Sequence, residues 1–328
     1  IWWGFVAGKT ASCAAMALTV GSYAWPAHAH AVAVAAVIAL TAVNYTGVQK
    51  SAWLTRLIVA VVLAVLAAVV VTALGGGGLD MARLEVTAGS AGGVRQAAGL
   101  LFFAFAGYAR IATLGEEVRD PARTIPKAIP IALAIALVVY ALVAIGALTV
   151  LGPQHLSSSP APLLDTVTAA GAPWLQPVVS GGAVVAAVGS LLALILGVSR
   201  TTFAMARDRH LPKLLAAVHP RFGVPHRAEL LVGVVVAVLA ATTDIRGAIG
   251  FSSFAVLIYY AIANASAWTL RPEQGRPPRI VPLTGLLGCL VIAFALPLPS
   301  ILSGTAVLAA GAAAYGIRHL RRTLHQPG

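Results

Sequence analysis

The sequence predicts an all-α, polytopic membrane helix bundle with about ten spanning helices, and three observations predict it. Of 328 residues, 59% are hydrophobic and only 10% are charged, whereas soluble domains carry roughly a quarter charged residues. Segments 57–79, 131–164 and 166–199 contain no Asp, Glu, Lys or Arg, and each exceeds the ~20 residues a helix needs to cross the hydrocarbon core. The basic residues, finally, gather in alternate connections between apolar runs.

In chain order the spans fall at about 2–24, 30–48, 54–75, 97–117, 128–151, 175–205, 228–244, 248–270, 280–297 and 299–317. Tyr23, Trp25 and Pro26 close the first of them as interfacial aromatics and a breaker. Placing the connections alternately on two sides puts sixteen Lys and Arg on one side, among them Lys50, Arg123, Arg207, Arg209 and Arg279. The other side holds three: Arg83, Arg95 and Arg246. By the positive-inside rule the first side and the C-terminus face the cytoplasm, in a multi-pass protein of the cell membrane. The two long outward connections, around 76–94 and 152–174, are rich in Gly, Ser and Pro and read as loops. Between Pro212 and His219 a short apolar stretch suits an interfacial helix.

Composition excludes several functions. The net charge of +12 lies between apolar spans and sets topology rather than marking a nucleic-acid surface. Cys13 and Cys289 both sit in apolar segments, where they suggest neither a disulfide nor a metal site. The eight histidines lie in loops or near span ends, which disfavours a haem held between helices. No buried Ser-His pair, Asp pair or metal cluster of an intramembrane hydrolase is visible. No enzyme activity and no cofactor is implied. The chain opens at Ile1 inside an apolar run, without the basic region and cleavage site of a signal peptide, so its native start is expected upstream.

The stretch from Phe102 to Pro130, FFAFAGYARIATLGEEVRDPARTIPKAIP, joins an apolar span to a charged loop through a Gly-Tyr break. Glycine at membrane depth lets the backbone leave helical geometry, and such backbone is tolerated where protein or a water-filled cavity surrounds it. Phe105, Ala106, Gly107 and Tyr108 are therefore candidate binding residues, their freed carbonyls and amides suited to a zwitterion; the alternative is that Gly107 only permits close helix packing. Arg110, a few residues on, either attracts a carboxylate or leans along its helix toward Glu117, seven residues away on the same face.

GYARIATLGEEVRDPARTIPKAI and SRTTFAMARDRHLPKLLAAVHPRFGVPHRAELL together resemble the amino acid, polyamine and organocation permease superfamily. The resemblance implies secondary transport of amino acids or related amines by alternating access, on a LeuT-type fold of two inverted five-helix repeats and two further helices. It begins at the third helix. On that reading 1–75 is the remainder of the first repeat, 97–270 the second repeat and 280–317 the last two helices, with the first two helices missing. GFVAG running into KTASCAAMALT looks shortened relative to the usual third helix. A truncated, non-transporting remnant is the competing expectation.

The resemblance places the first span beside the substrate cavity, which makes Lys9, with the small neighbours Ser12 and Cys13, a second group of substrate candidates; the alternative puts Lys9 near the cytoplasmic end. Glu116, Glu117, Arg119, Asp120 and Arg123 form a mixed-charge cluster, with Pro121 and Pro126 stiffening the turn before the next span. With Arg207 or Arg209 as partners they are candidate members of an inward gate. Ser190 and Ser199 offer hydroxyl oxygens for a coupling sodium; a coupling proton or an exchanged amino acid are the alternatives. The apparent absence of a buried Asp or Glu argues against polyamines and toward neutral amino acids. Amino acid and membrane lipid are the expected partners.

Overall fold

Inside an apolar medium backbone amides have only their own carbonyls to bond, and the chain accordingly folds as helices. The computed structural model describes residues 2–47, 52–76, 80–84, 90–107, 120–270 and 278–324. Among them run eleven α-helices: α1 Trp2–Ala24, α2 Ala29–Tyr45, α3 Ala52–Gly75, α4 Ala91–Phe105, α5 Pro121–Ser158, α6 Pro162–Ala169, α7 Gln176–Arg207, α8 His226–Thr242, α9 Ile245–Ala267, α10 Ile280–Ala293 and α11 Leu298–Leu324. Six helical segments among the described residues are long and apolar enough to cross a membrane. The protein is an all-α, multi-pass membrane bundle.

Helix α1 is the axis of the packing, lying chiefly against α7 and α9 and also against α2 and α8. It runs unbroken for 23 residues through Gly8 to Ser12, where the sequence looks shortened. Cys13, Ala17 and Leu18 of α1 join Val37 of α2, Leu191 and Ile195 of α7 and Val236 of α8 in the largest buried cluster. A second cluster ties α3 to α7 through Val69 and Val179, and a third joins α9 to α10 through Phe254, Leu257 and Ala293. Large apolar side chains on the outer faces, such as Ile38, Val71, Leu137 and Val234, stay exposed as a lipid-facing surface requires.

Several segments depart from the expected boundaries, among them α4, expected at about 97–117 and found at Ala91–Phe105. Helix α5 starts at Pro121, not at about 128, because proline at the first helical position forfeits no hydrogen bond; Pro126 and Pro130 lie inside it. Near its far end Gly152 has φ +73°, which kinks the helix before Pro153. Arg83 caps that kink by donating to the carbonyls of Thr149 and Val150. The connection around 152–174, expected as a loop, contains α6, whose Pro162 opens the helix and whose Asp165 suits its first turn. The stretch after Pro212 forms a short 3-10 turn, Lys213–Ala216.

Candidate functional site

Helix α4 is too short to span. Its 15 residues measure about 22 Å at 1.5 Å per residue, against a hydrocarbon core of about 30 Å. It ends where the Gly-Tyr break was expected: the last turn tightens, Ala106 N donating to Phe103 O at 3.3 Å, and Ala106 and Gly107 form a turn. Gly107 is exposed, and a Cβ added there would meet none of the described atoms within 4 Å. Among the described residues it therefore makes no close helix contact, unlike Gly8 of α1, whose added Cβ would lie 3.0 Å from Ala255 Cβ of α9.

Lys9, 97 residues away in sequence, reaches this break. Its Nζ donates to Ala106 O at 3.1 Å. A lysine inside a span is costly unless paired, and a helix C-terminus, with its unsatisfied carbonyls and negative dipole end, is a fitting partner. Ser12, one turn on, is buried and shares a hydrogen bond of 2.7 Å with Ser252 of α9. Phe105 packs edge-on against Tyr140 of α5 at 5.3 Å, and Tyr140 Oη donates to Ala104 O at 3.4 Å. Two helices, α1 and α5, thus meet the end of α4.

The spacing 9, 12, 16, 19, 23 keeps to one face of α1, and Met16, Thr19 and Tyr23 line a groove of about 260 Å³ between α1, α3, α6 and α7. Val65, Leu66, Val179 and Gly182 make it apolar, while Ser190 brings a hydroxyl. Tyr23 closes its far end, its Oη accepting from Leu163 N at 3.4 Å and its carbonyl accepting from Ser180 Oγ at 2.5 Å. The polar pair Lys9 and Ser12 and the apolar groove are successive parts of one helix face. Cys13 is turned off that face and is fully buried among Val37, Ile195 and Val236.

The gating candidates are only partly described. Tyr108, Arg110, Glu116, Glu117 and Arg119 lie outside the described residues. Arg123 sits 3.8 Å from Asp120, three residues before it, with both side chains mostly exposed. Arg207 occupies the last turn of α7, where a cation suits the helix dipole, and Arg209 takes the left-handed conformation just beyond it at φ +60°. Both are exposed.

Sequence reasoning missed Glu229. The expectation that no Asp or Glu is buried is corrected, since Glu229 is 1% exposed in the first turn of α8. The expected span 228–244 includes Glu229, at the boundary between the charged connection and the apolar run, without assigning it an inward face. The signal was present: Glu229, Gly233, Val236 and Ala240 follow the i, i+4, i+7, i+11 spacing of one helix face, and that face packs against α2 and α7.

A sequence model of the family described as "Amino acid permease" matches residues 1–315. An uncharacterized transporter of Mycobacterium tuberculosis is 72% identical over 97% of this chain and 72% of its own length. Cationic amino acid transporter 4 of Homo sapiens is 34% identical over 57% of this chain and 29% of its own. The branched-chain amino acid permease BcaP of Bacillus subtilis is 27% identical over 61% of this chain and 45% of its own.

Proposed function

The chain belongs to the amino acid permease family, and on that premise we propose that it carries neutral amino acids across the cell membrane by secondary active transport. Its C-terminus and the Arg-rich connections face the cytoplasm on this reading, as the distribution of basic residues requires. Alternating access arises from rocking between a repeat that includes 1–75 and a repeat at 97–270, around the break after Phe105.

The observation that carries the proposal is the contact of Lys9 Nζ with Ala106 O at the open end of α4. A zwitterion needs a positive partner for its carboxylate and a negative one for its ammonium. Lys9 supplies the first and the C-terminal carbonyls of α4 the second. Beyond them the groove lined by Met16, Val65, Leu66 and Val179 suits an apolar side chain. Among the described residues no Asp or Glu lines that groove to neutralise a cationic side chain, which favours substrates like those of the branched-chain permease over those of the cationic transporter. The reading of a non-transporting remnant has no such observation behind it.

Reconstituted in proteoliposomes, the chain is expected to take up or exchange leucine or isoleucine saturably, with arginine and lysine far weaker. Saturable arginine flux without leucine flux would reverse the substrate assignment. No flux for any amino acid would reject the transport reading itself.

A further inference from the structure

A second polar site lies on the opposite side of α7 from the groove. Ser190 faces the groove, and Ser199, nine residues on, points half a helical turn away toward α2 and α8. There Asn44 of α2 and Ser199 of α7 approach the carboxyl of Glu229, and the three residues are 2%, 0% and 1% exposed. Glu229 Oε1 has no hydrogen-bond partner. One turn along, Thr41 Oγ1 is also buried without a partner, against Gly233, where an added Cβ would stand 2.6 Å from it. The missing side chain at Gly233 is what lets Thr41 of α2 lie this close to α8, one turn from Glu229.

Hydrogens are scarce in this cluster. The Ser199 hydroxyl reaches both the Glu229 carboxyl and Leu196 O, the latter at 3.1 Å, so its single hydrogen serves one of the two at a time. Asn44 uses one of its amide hydrogens on Leu192 O at 3.3 Å. Glu229 takes part in none of the ion pairs among the described residues. The nearby cation, Arg200 on α7, acts on it only through its charge and is itself exposed. The other titratable neighbours are His226 at the start of α8, whose Nδ1 is buried and unpartnered, Tyr45 of α2, whose ring lies 6.2 Å from that of His226, and Cys13 of α1 in the adjoining apolar cluster. A buried carboxyl whose two donors, Ser199 and Asn44, are shared with backbone carbonyls and whose Oε1 has no partner gains from a positive charge bound beside it.

We propose that Glu229, with Asn44, Ser199 and Thr41, forms a monovalent-cation site inside the α2–α7–α8 packing and takes up one positive charge, as a sodium ion or a proton. The donor set is hard oxygen, suited to either. The site is separate from the Lys9 groove, and it rests on the transport reading only for its consequence, that the bound charge is the coupling ion.

The test is thermal unfolding of the purified full chain in detergent, in sodium chloride against choline chloride and at acidic against alkaline pH, for the wild type and Glu229→Gln. A ligand that binds only the folded state raises its unfolding temperature in proportion to occupancy. Stabilisation of the wild type by sodium, absent in E229Q, supports the site with sodium as its ion. A wild-type response to acid that E229Q lacks, without any sodium effect, supports it with a proton. Wild type and E229Q responding alike to both overturns it. Should E229Q not fold, Glu229→Asp withdraws the carboxyl by one methylene and is expected to displace the sodium or acid midpoint by on the order of tenfold, the effect of losing one good charged hydrogen bond; an unchanged midpoint overturns the site. Because the readout is stability and not flux, failure of the transport reading leaves this result standing on its own.

Discussion

Lys9 and Glu229 carry opposite charges into the same bundle and meet opposite solutions. Lys9 is half-buried and points to the end of a helix that stops short, where the Ala106 carbonyl receives it. Glu229 is fully buried within continuous helices and keeps an oxygen without a partner. A broken helix brings its own counter-charge through exposed carbonyls, and an intact one does not. The difference teaches that irregular backbone around Lys9 builds a site from the chain itself, whereas the regular packing around Glu229 leaves a need that something else must fill.

The sharpest way to break this comparison is to remove the cation from the first region. Lys9→Met keeps the length and apolar stem of the side chain while deleting its charge. A hydrogen bond to a charged group contributes about 1.5–3 kcal/mol, so uptake by reconstituted protein should fall roughly ten- to a hundredfold, mainly through apparent affinity. The unfolding temperature should change little, because methionine keeps the apolar stem packed where the lysine stem lies. A large loss of stability with unchanged transport would make Lys9 a structural strut and erase its contrast with the buried carboxyl.

The second region should answer to packing instead. At Gly233 an added Cβ would lie 2.6 Å from Thr41 Oγ1 and 3.2 Å from Thr41 Cβ. Gly233→Leu should therefore destabilise by about 1–3 kcal/mol, the usual cost of overpacking, read as a lower unfolding temperature. Gly107→Ala, with no described atom within 4 Å of the new Cβ, should leave unfolding nearly unchanged and act, if anywhere, on transport. Equal destabilisation by both would mean that the break after Phe105 is as tightly packed as the α2–α8 contact.

The two regions also differ in how far the sequence shows them. Apolar runs placed α1 at residues 2–24, where it stands, because charge-free length is a local property. Helix α4 ends at Phe105, beside the expected Gly-Tyr break, whose Tyr108 lies outside the described residues. What brings Lys9 to Ala106 was not legible: the contact spans 97 residues and depends on how α1 and α4 pack. Glu229 failed for a different reason. Charge at a span boundary was given no inward face, although the face shared with Gly233 and Val236 pointed inward. Helix α6 was lost because an eight-residue helix among Ser and Pro carries too little periodicity to stand out, and its form comes from packing against α5, α7 and α3.

A smaller effect separates support from contact within the first region. Ser12→Ala removes the 2.7 Å hydrogen bond to Ser252 and leaves that hydroxyl buried, at a cost of about 1 kcal/mol. If Ser12 only ties α1 to α9, unfolding should shift by that amount and apparent substrate affinity should hold. An affinity loss as large as that of Lys9→Met, without the stability loss, would move Ser12 into the binding surface.

The smallest effect is expected at Arg123, the gating candidate that the structure pairs with Asp120. Its guanidinium stands 3.8 Å from Asp120, and the two side chains are 85% and 58% exposed. An exposed pair of that kind contributes about 0–1 kcal/mol and weakens with salt. Arg123→Gln should therefore leave unfolding within error of the wild type at high ionic strength. A gate, however, need not be stable to matter, since it acts on the balance between two conformations. The decisive measurement is the rate at which a cysteine introduced in the groove, Thr19→Cys, reacts with a thiol reagent from each side, with and without the Arg123 change. Unaltered reactivity on both sides would confine Arg123 to the surface, and a shift toward one side would give the periphery a role that neither the Lys9 break nor the Glu229 cluster supplies.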